Sequence, residues 1–398
     1  MLLQISSSAA EAEGRPAAWC AVFALSLGAF VLVASEFMPV SLLTPIAADL
    51  GITEGQAGQA ISVSGAFAVL TSLFIASLAG RLDRKILLLA LTGLMIVSGS
   101  IVALAPSYPV FMLGRALIGV AIGGFWSMSA ASAMRLVPES DVPRALAIFN
   151  GGNALATVIA APLGSFLGGL VGWRLAFFSA VPVAVIVLLW QLVSLPSMKT
   201  ESRPGSGNVF RLFNTPGVTW GMAAAGLFFM GQFCLFTYLR PFLETVTLVD
   251  VPTLSLLLLM MGVAGFIGTS LIGGLLRNGI YRTLVAIPLL MAGVSLALIA
   301  FGHGLTVVAF LLAMWGLLGT SAPVGWWTWL SRTLPQDAEA GGGLMVATVQ
   351  LAITLGATVG GLLFDSSGYE ATFVVSALLL ALAALAASRT SCIVQGTA

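Results

Sequence analysis

The stretch Trp19–Leu43, WCAVFALSLGAFVLVASEFMPVSLL, decides how the chain is read. It is long enough to cross a bilayer, because a spanning helix needs roughly 20 mostly apolar residues. Its single charge is Glu36. A carboxylate in hydrocarbon is costly, so it faces a protein interior or a wet cavity and takes a partner. The expected partner is Arg115, the one basic residue inside another apolar stretch of the same half. An acid and a base within the membrane part of a chain with many spans point to ion-coupled transport.

The rest of the chain has the same character. Of 398 residues, 59% are apolar and 8% charged, where a soluble domain has about a quarter charged. Twelve candidate spans start near Ala18, Gln56, Ile86, Pro109, Arg144, Leu175, Pro216, Thr253, Thr283, Leu305, Gly342 and Thr372. The expected fold is an all-α membrane protein of twelve transmembrane helices joined by short loops. Lys and Arg set the orientation, since they collect on the cytoplasmic side. With the N-terminus inside, Arg15, Arg81, Arg84, Lys85, Arg135, Arg144, Lys199, Arg203, Arg211, Arg277, Arg282, Arg332 and Arg389 fall at cytoplasmic ends; Arg174 and Arg240 fall outside. Both termini are then cytoplasmic. The first apolar run is too long for a signal-peptide core and is expected to remain as the first helix.

The net charge of +1 argues against nucleic acid as a partner. Cys20, Cys234 and Cys392 have neither metal-binding nor redox-pair spacing and read as inert. No phosphate-cradling loop and no His/Cys cluster occurs, so no cofactor or metal is expected and transport must draw on a gradient.

A polar interval from Leu195 to Thr215 divides the chain. The expected layout is an N-terminal tail (1–17), a six-helix bundle (18–195), a cytoplasmic linker (196–214), a second six-helix bundle (215–389) and a tail (390–398). The halves echo weakly: Thr71-Ser72-Leu73 matches Thr269-Ser270-Leu271, and Gly164, Gly168 and Gly169 match Gly356, Gly360 and Gly361. Parallel six-helix repeats place the site near the midplane between them.

Within that frame, Glu36 lies about five residues before the expected outer end of the first span, and Arg115 about six after the outer start of the fourth. At ~1.5 Å per residue both lie roughly 7 to 9 Å below the outer boundary. Burial disfavours charge on Glu36 and a nearby guanidinium favours it, so the acid can change protonation as the cavity opens or closes; a fixed ion pair is the alternative. Gly119 and Gly123 share the helix face of Arg115 and permit close packing. Phe125 and Trp126 stack on a flat ligand or pack the core. Asn150 and Asn153, three apart, offer hydrogen bonds to a polar substrate or act as glue between helices. Gln232 is the ligand candidate of the seventh span. Trp315 and Trp326, about three turns apart, share a face that suits an aromatic ligand, and Gln350 lies one turn from Thr354 on the eleventh. In the turn after the second span, Arg81, Asp83, Arg84 and Lys85 are expected to cap helix ends and pair with the loop Arg135–Asp141 as a conformational switch; positive-inside anchoring explains them equally.

Ala79, Arg81, Arg84 and Lys85 match the loop signature of the major facilitator superfamily, with Gly80 replacing its acidic residue and Asp83 its glycine. Arg115, Gly119 and Gly123 match its fourth-helix signature, and Pro162, Gly168 and Gly169 keep part of an antiporter signature. The chain thus resembles that superfamily, within it the drug and sugar efflux proton antiporters. The strings Glu36–Pro45, Gly123–Ser129, Ala161–Leu167, Phe236–Pro241 and Pro323–Trp329 are similar to bacterial purine ribonucleoside efflux permeases. The resemblance implies two pseudo-symmetric six-helix bundles in the bacterial inner membrane, acting as a monomer. It implies alternating access that exchanges protons for purine ribonucleosides such as inosine or guanosine. Export of sugars or assorted drugs is the alternative within the family. A non-transporting receptor or scaffold on the same fold is the other, and it leaves Glu36 and Arg115 without a task.

Overall fold

In the computed structural model, which describes residues 17–79, 82–198, 216–334 and 338–396, every regular element is helical. In chain order these are α1 (Trp19–Leu50), α2 (Glu54–Ala79), α3 (Arg84–Ala103), α4 (Tyr108–Arg135), α5 (Val142–Phe178), α6 (Ala180–Ser194), α7 (Pro216–Phe236), α8 (Leu239–Thr245), α9 (Val251–Phe301), α10 (Leu305–Thr333) and α11 (Ala338–Gly396). Nearly all of the expected N-terminal tail, Gly80 and Arg81 of the switch loop, and most of the expected linker lie outside the described residues.

Ten stretches among the described residues are long and apolar enough to cross a membrane. Two of them, Glu139–Ser194 and Gly341–Ile393, run to 56 and 53 residues, more than twice what a crossing needs. Each is broken by a glycine with a left-handed φ, Gly172 at 82° and Gly368 at 81°, a conformation that side chains with a Cβ resist. α9 is likewise interrupted at Gly279. Glycines thus mark where the longest helical stretches kink.

One boundary differs from expectation. α1 continues past Leu43 through Pro45 to Leu50, and Gly51 closes it with φ 64° and an N–H bond to Ala47. Glu36 therefore sits near the middle of its helix, deeper than an end at Leu43 implies. A proline need not stop a membrane helix when neighbouring groups satisfy the carbonyl it frees.

α1 packs on α5, while α4 packs on α2 and α3; in the second half α7 packs on α11 and α9 on α10. The halves meet along α2 with α11 and α5 with α9. Glycines allow the closest of these approaches. A Cβ on Gly316 of α10 would stand 2.1 Å from the Met261 carbonyl oxygen, and one on Gly268 of α9 would stand 2.1 Å from that of Leu317.

Contacts between halves gather toward the end that carries residues 51–53 and 365–368. Asp365 accepts hydrogen bonds from the Thr53 hydroxyl (2.6 Å) and the Gly55 N–H (2.9 Å). It therefore caps the N-terminus of α2 from the other half, where free N–H groups and the helix dipole favour a carboxylate. Arg240 donates to the Ser41 carbonyl and pairs with Glu244 at 2.8 Å. Ser255 bonds Ser165 at 3.0 Å. Within the second half, Tyr238 is fully buried and donates to the Ala357 carbonyl at 2.8 Å.

The glycine contacts give a direct check. Gly316→Leu should force α9 and α10 apart and cost about 1–3 kcal/mol, as overpacking does, whereas Gly293→Ala should melt like wild type because a Cβ there meets nothing within 4 Å. Thermal melts of the purified proteins measure both; equal stability of Gly316→Leu and wild type would refute the packing described.

Candidate functional site

Proline has no N–H, so within a helix it leaves the carbonyl four residues back without its donor. Pro39 leaves that of Ser35 free, and Pro45 that of Ser41. Arg115, 1% exposed on α4, takes the first: its Nη1 donates to Ser35 O at 2.8 Å. Its Nη2 donates to Glu36 O at 3.0 Å and to Ser64 Oγ at 3.2 Å, and its Nε to Ala60 O at 3.1 Å. One guanidinium thus clamps α1, α2 and α4. Arg240 takes the second freed carbonyl from the opposite half.

Arg115 and Glu36 are therefore neighbours, as expected, but not charge to charge. The guanidinium holds the backbone of Glu36. The carboxylate, in a residue 4% exposed, turns to the second half, where Gln350 Nε2 donates to its Oε1 at 3.3 Å. Gln350 belongs to α11, so the bond spans the two halves beside the Phe37–Phe233 stack, whose centroids are 5.6 Å apart. A second polar layer follows: Thr358 Oγ1 contacts Ser62 Oγ at 2.9 Å and Gln59 Oε1 at 3.3 Å. Among the described residues, five buried polar atoms of the second half have no protein partner: Gln232 Oε1, Glu244 Oε2, Trp315 Nε1, Trp329 Nε1 and Gln350 Oε1. Gln232 lies against Gly319 of α10, where its amide nitrogen would be 3.0 Å from a Cβ. The Glu36 carboxylate, the Gln350 and Gln232 amide oxygens and the Trp315 indole N–H are each buried where an unmade hydrogen bond is costly.

The other candidates fall elsewhere. Phe125 is fully buried between Trp126 and Phe149, at centroid distances of 6.4 and 6.3 Å. Trp326 meets Trp329 edge-on at 6.1 Å in the apolar core of the second half. Asn150 is exposed and its amide returns to the Leu146 carbonyl of its own helix at 2.9 Å; Asn153 is half-buried. In the switch loop, Asp83 caps α3 by accepting from Lys85 N at 2.9 Å, and it also accepts from Met198 N at 2.8 Å and from Ser197 Oγ. Arg84 reaches Met128 Sδ at 3.5 Å and Lys85 the Leu192 carbonyl at 3.0 Å. These bonds tie the loop to the stretch leading into the linker, a contact that the expected pairing with Arg135–Asp141 did not include. Sequence reasoning missed Asp365 and the Arg240–Ser41 bond, although Pro45 was a signal for the latter. It also missed Gln191, fully buried on α6, which accepts from Thr92 Oγ1 at 2.8 Å.

Helices of membrane length packed around a buried acid and a buried base define a multi-pass membrane protein. A family model for the Major Facilitator Superfamily matches residues 25–348, and the chain belongs to that superfamily. It is 63% identical over 388 residues to the Pseudomonas aeruginosa protein named transcription regulatory protein OpdE, covering 96% of each chain. It is 44% identical over 376 residues to the purine ribonucleoside efflux pump NepI of Salmonella typhimurium, covering 94% of each. Among solved structures, a bacterial homologue of the human lysosomal transporter Spinster, inward-facing and occupied, has a TM-score of 0.74 at 14% identity, over 95% of this chain and 97% of that one. The human organic anion transporter MFSD10 has a TM-score of 0.66 at 16% identity, over 94% and 100%. At these identities the structures speak for the fold.

The clamp can be tested by a mutant cycle. Arg115→Ala should destabilise by about 1–3 kcal/mol for each buried carbonyl left unpaired. Pro39→Ala restores the donor for Ser35, so the same Arg115→Ala change should cost less in that background. Identical costs in both backgrounds, read from thermal or denaturant unfolding, would separate Arg115 from the proline.

Proposed function

We propose that this chain is a twelve-helix exporter of the bacterial inner membrane, with both termini in the cytoplasm, that exchanges protons for purine ribonucleosides. The twelve spans follow if each of the two double-length stretches is divided at its kink glycine, Gly172 or Gly368. Residues 18–195 and 215–389 then form two six-helix bundles, and the end bearing 51–53 and 365–368 faces outward. The observation that carries the reading is the Glu36 carboxylate held by Gln350 across the two halves, with partnerless amide and indole groups on the second half.

Ionised Glu36 accepts the Gln350 N–H and links the halves. Protonated Glu36 gains a donor that matches the open Gln350 Oε1, so one proton alters the bond between the bundles. Arg115 holds the acid's backbone in place throughout. A purine ribonucleoside has N–H and ribose hydroxyl donors for Gln232 Oε1 and Gln350 Oε1, and ring acceptors for Trp315 Nε1. The 44% identity to a purine ribonucleoside efflux pump supports the substrate class. Asn153 and Trp126, on the cytoplasmic side of this centre, line the approach. The contacts of Asp83, Arg84 and Lys85 with 192–198 belong to the cytoplasmic gate. A second reading, a membrane component of a regulatory circuit, is favoured by the name of the 63% identical relative.

Inside-out vesicles decide between them. Wild type should accumulate labelled inosine or guanosine when a pH gradient is imposed, and lose this with a protonophore. Glu36→Gln should abolish gradient-driven uptake while nucleoside binding survives. Gln232→Ala should weaken binding by about 0.5–1.5 kcal/mol. Accumulation of sugars or dyes but not nucleosides would overturn the substrate class; gradient-driven uptake by Glu36→Gln would overturn the coupling; no uptake of any of them would favour the regulatory reading.

A further inference from the structure

On the face of α1 turned away from Glu36, a groove runs between α1, α5 and α6. Its larger recess, about 370 Å³, is lined by Phe23, Ser26, Leu27 and Phe30 of α1, Gly151, Gly152 and Leu155 of α5, and Trp190 of α6. A smaller recess of about 70 Å³ shares Phe30 and continues toward Met38. The Ser26 hydroxyl is already committed to the Ile148 carbonyl at 2.7 Å. Beyond the Trp190 indole N–H the lining is carbon-rich, which suits a hydrocarbon chain. The groove owes its shape to Gly151, where a Cβ would meet nothing within 4 Å.

The end of this groove near the 82–85 loop is basic. Trp19 lies one helical turn before Phe23, and Arg144 two turns before Gly151, so the two stripes that line the groove end in these residues. The Arg144 guanidinium stands over the Trp19 ring, 4.9 Å from its centroid, and is exposed. It makes no ion pair among the described residues, whose salt bridges are Arg174–Asp49 and Arg240–Glu244. Lys85 bonds Leu192 O at 3.0 Å on the helix that carries Trp190. A tryptophan at the level of lipid headgroups and a basic site between helices on the cytoplasmic side are features that recognise an anionic phospholipid.

We propose that this groove binds one anionic phospholipid of the inner leaflet, with an acyl chain along Phe23, Leu27, Phe30 and Leu155 and the phosphate on Arg144. The site is separate from the central one and does not rest on the substrate assigned there.

The test is native mass spectrometry of the full chain released from nanodiscs of equal phosphatidylglycerol and phosphatidylcholine. Wild type should carry phosphatidylglycerol in at least fivefold preference. Arg144→Gln should reduce that preference to about onefold while leaving the melting temperature unchanged. Gly151→Leu, whose Cβ meets nothing within 4 Å, should lower retention of phosphatidylglycerol several-fold. Retention of both lipids alike by wild type would overturn the charge recognition. Undiminished phosphatidylglycerol on folded Gly151→Leu would overturn the placement of the chain. Unchanged preference in Arg144→Gln would overturn the headgroup contact.

Discussion

Two prolines in the first helix set the terms for the rest of the structure. Pro39 and Pro45 each remove a backbone donor from a segment where hydrocarbon supplies none in its place. The freed carbonyls of Ser35 and Ser41 are six residues apart and are taken by two arginines from different parts of the chain, Arg115 and Arg240. Each arginine would be costly in the membrane alone, and each carbonyl would be costly unpaired. Together they are satisfied, and the helix gains two fixed points on either side of Glu36. The guanidinium suits this task because its planar fork reaches several acceptors at once, which an ammonium on a single stem does poorly.

The two fixed points differ in kind. Arg115 bonds within the first half, so any movement of one half against the other leaves it intact. Arg240 bonds from the second half, at the end where Asp365 caps α2 and Ser255 meets Ser165. These links are individually modest, about 1 kcal/mol each for ordinary hydrogen bonds, and water can replace them at the surface. Reversing a hundredfold preference between two states takes roughly 5.5 kcal/mol of differential binding. On the proposed function, a closure built from several such bonds lies in the range that a ligand and a proton together can reverse.

Much of this was legible in the sequence, and the failures have physical causes. The all-helical, membrane-length character followed from apolar length, and every expected span start lies in or within a few residues of a helix start or kink, although ten stretches rather than twelve stand as separate spans among the described residues. Glu36, Arg115 and Gln350 were found because an ionisable or amide group within an apolar run is unusual wherever it points. Facing is what sequence does not supply. Asn150 and Asn153 lie three residues apart on one helix, but Asn150 is exposed and bonds its own helix. Trp326 and Trp315 are both buried in the core of the second half, Trp326 edge-on to Trp329, and Trp315 and Trp329 each keep an unpaired indole nitrogen. Asp365 was passed over because it lies near a loop, where a carboxylate needs no explanation until the partner helix end is seen beside it. Gln191 escaped notice inside a run of leucines and valines, although it is as buried as Glu36.

The placement of aromatic groups narrows how the proposed substrate would be held. With Phe125 and Trp326 committed to the cores, the rings that straddle the halves are Phe37 and Phe233, stacked at 5.6 Å and 27°. They adjoin Glu36 and Gln232 in sequence, so the stacking pair and the polar groups move as one unit on each side. A flat base entering between them exchanges one ring–ring contact for two ring–base contacts, and it does so only when the halves have separated enough to admit it. Stacking of this kind is worth about 1–3 kcal/mol per base, and it is made in one state of the transporter and not in the other. On the proposed function, that difference is what lets binding of the nucleoside and protonation of Glu36 act on the same interface.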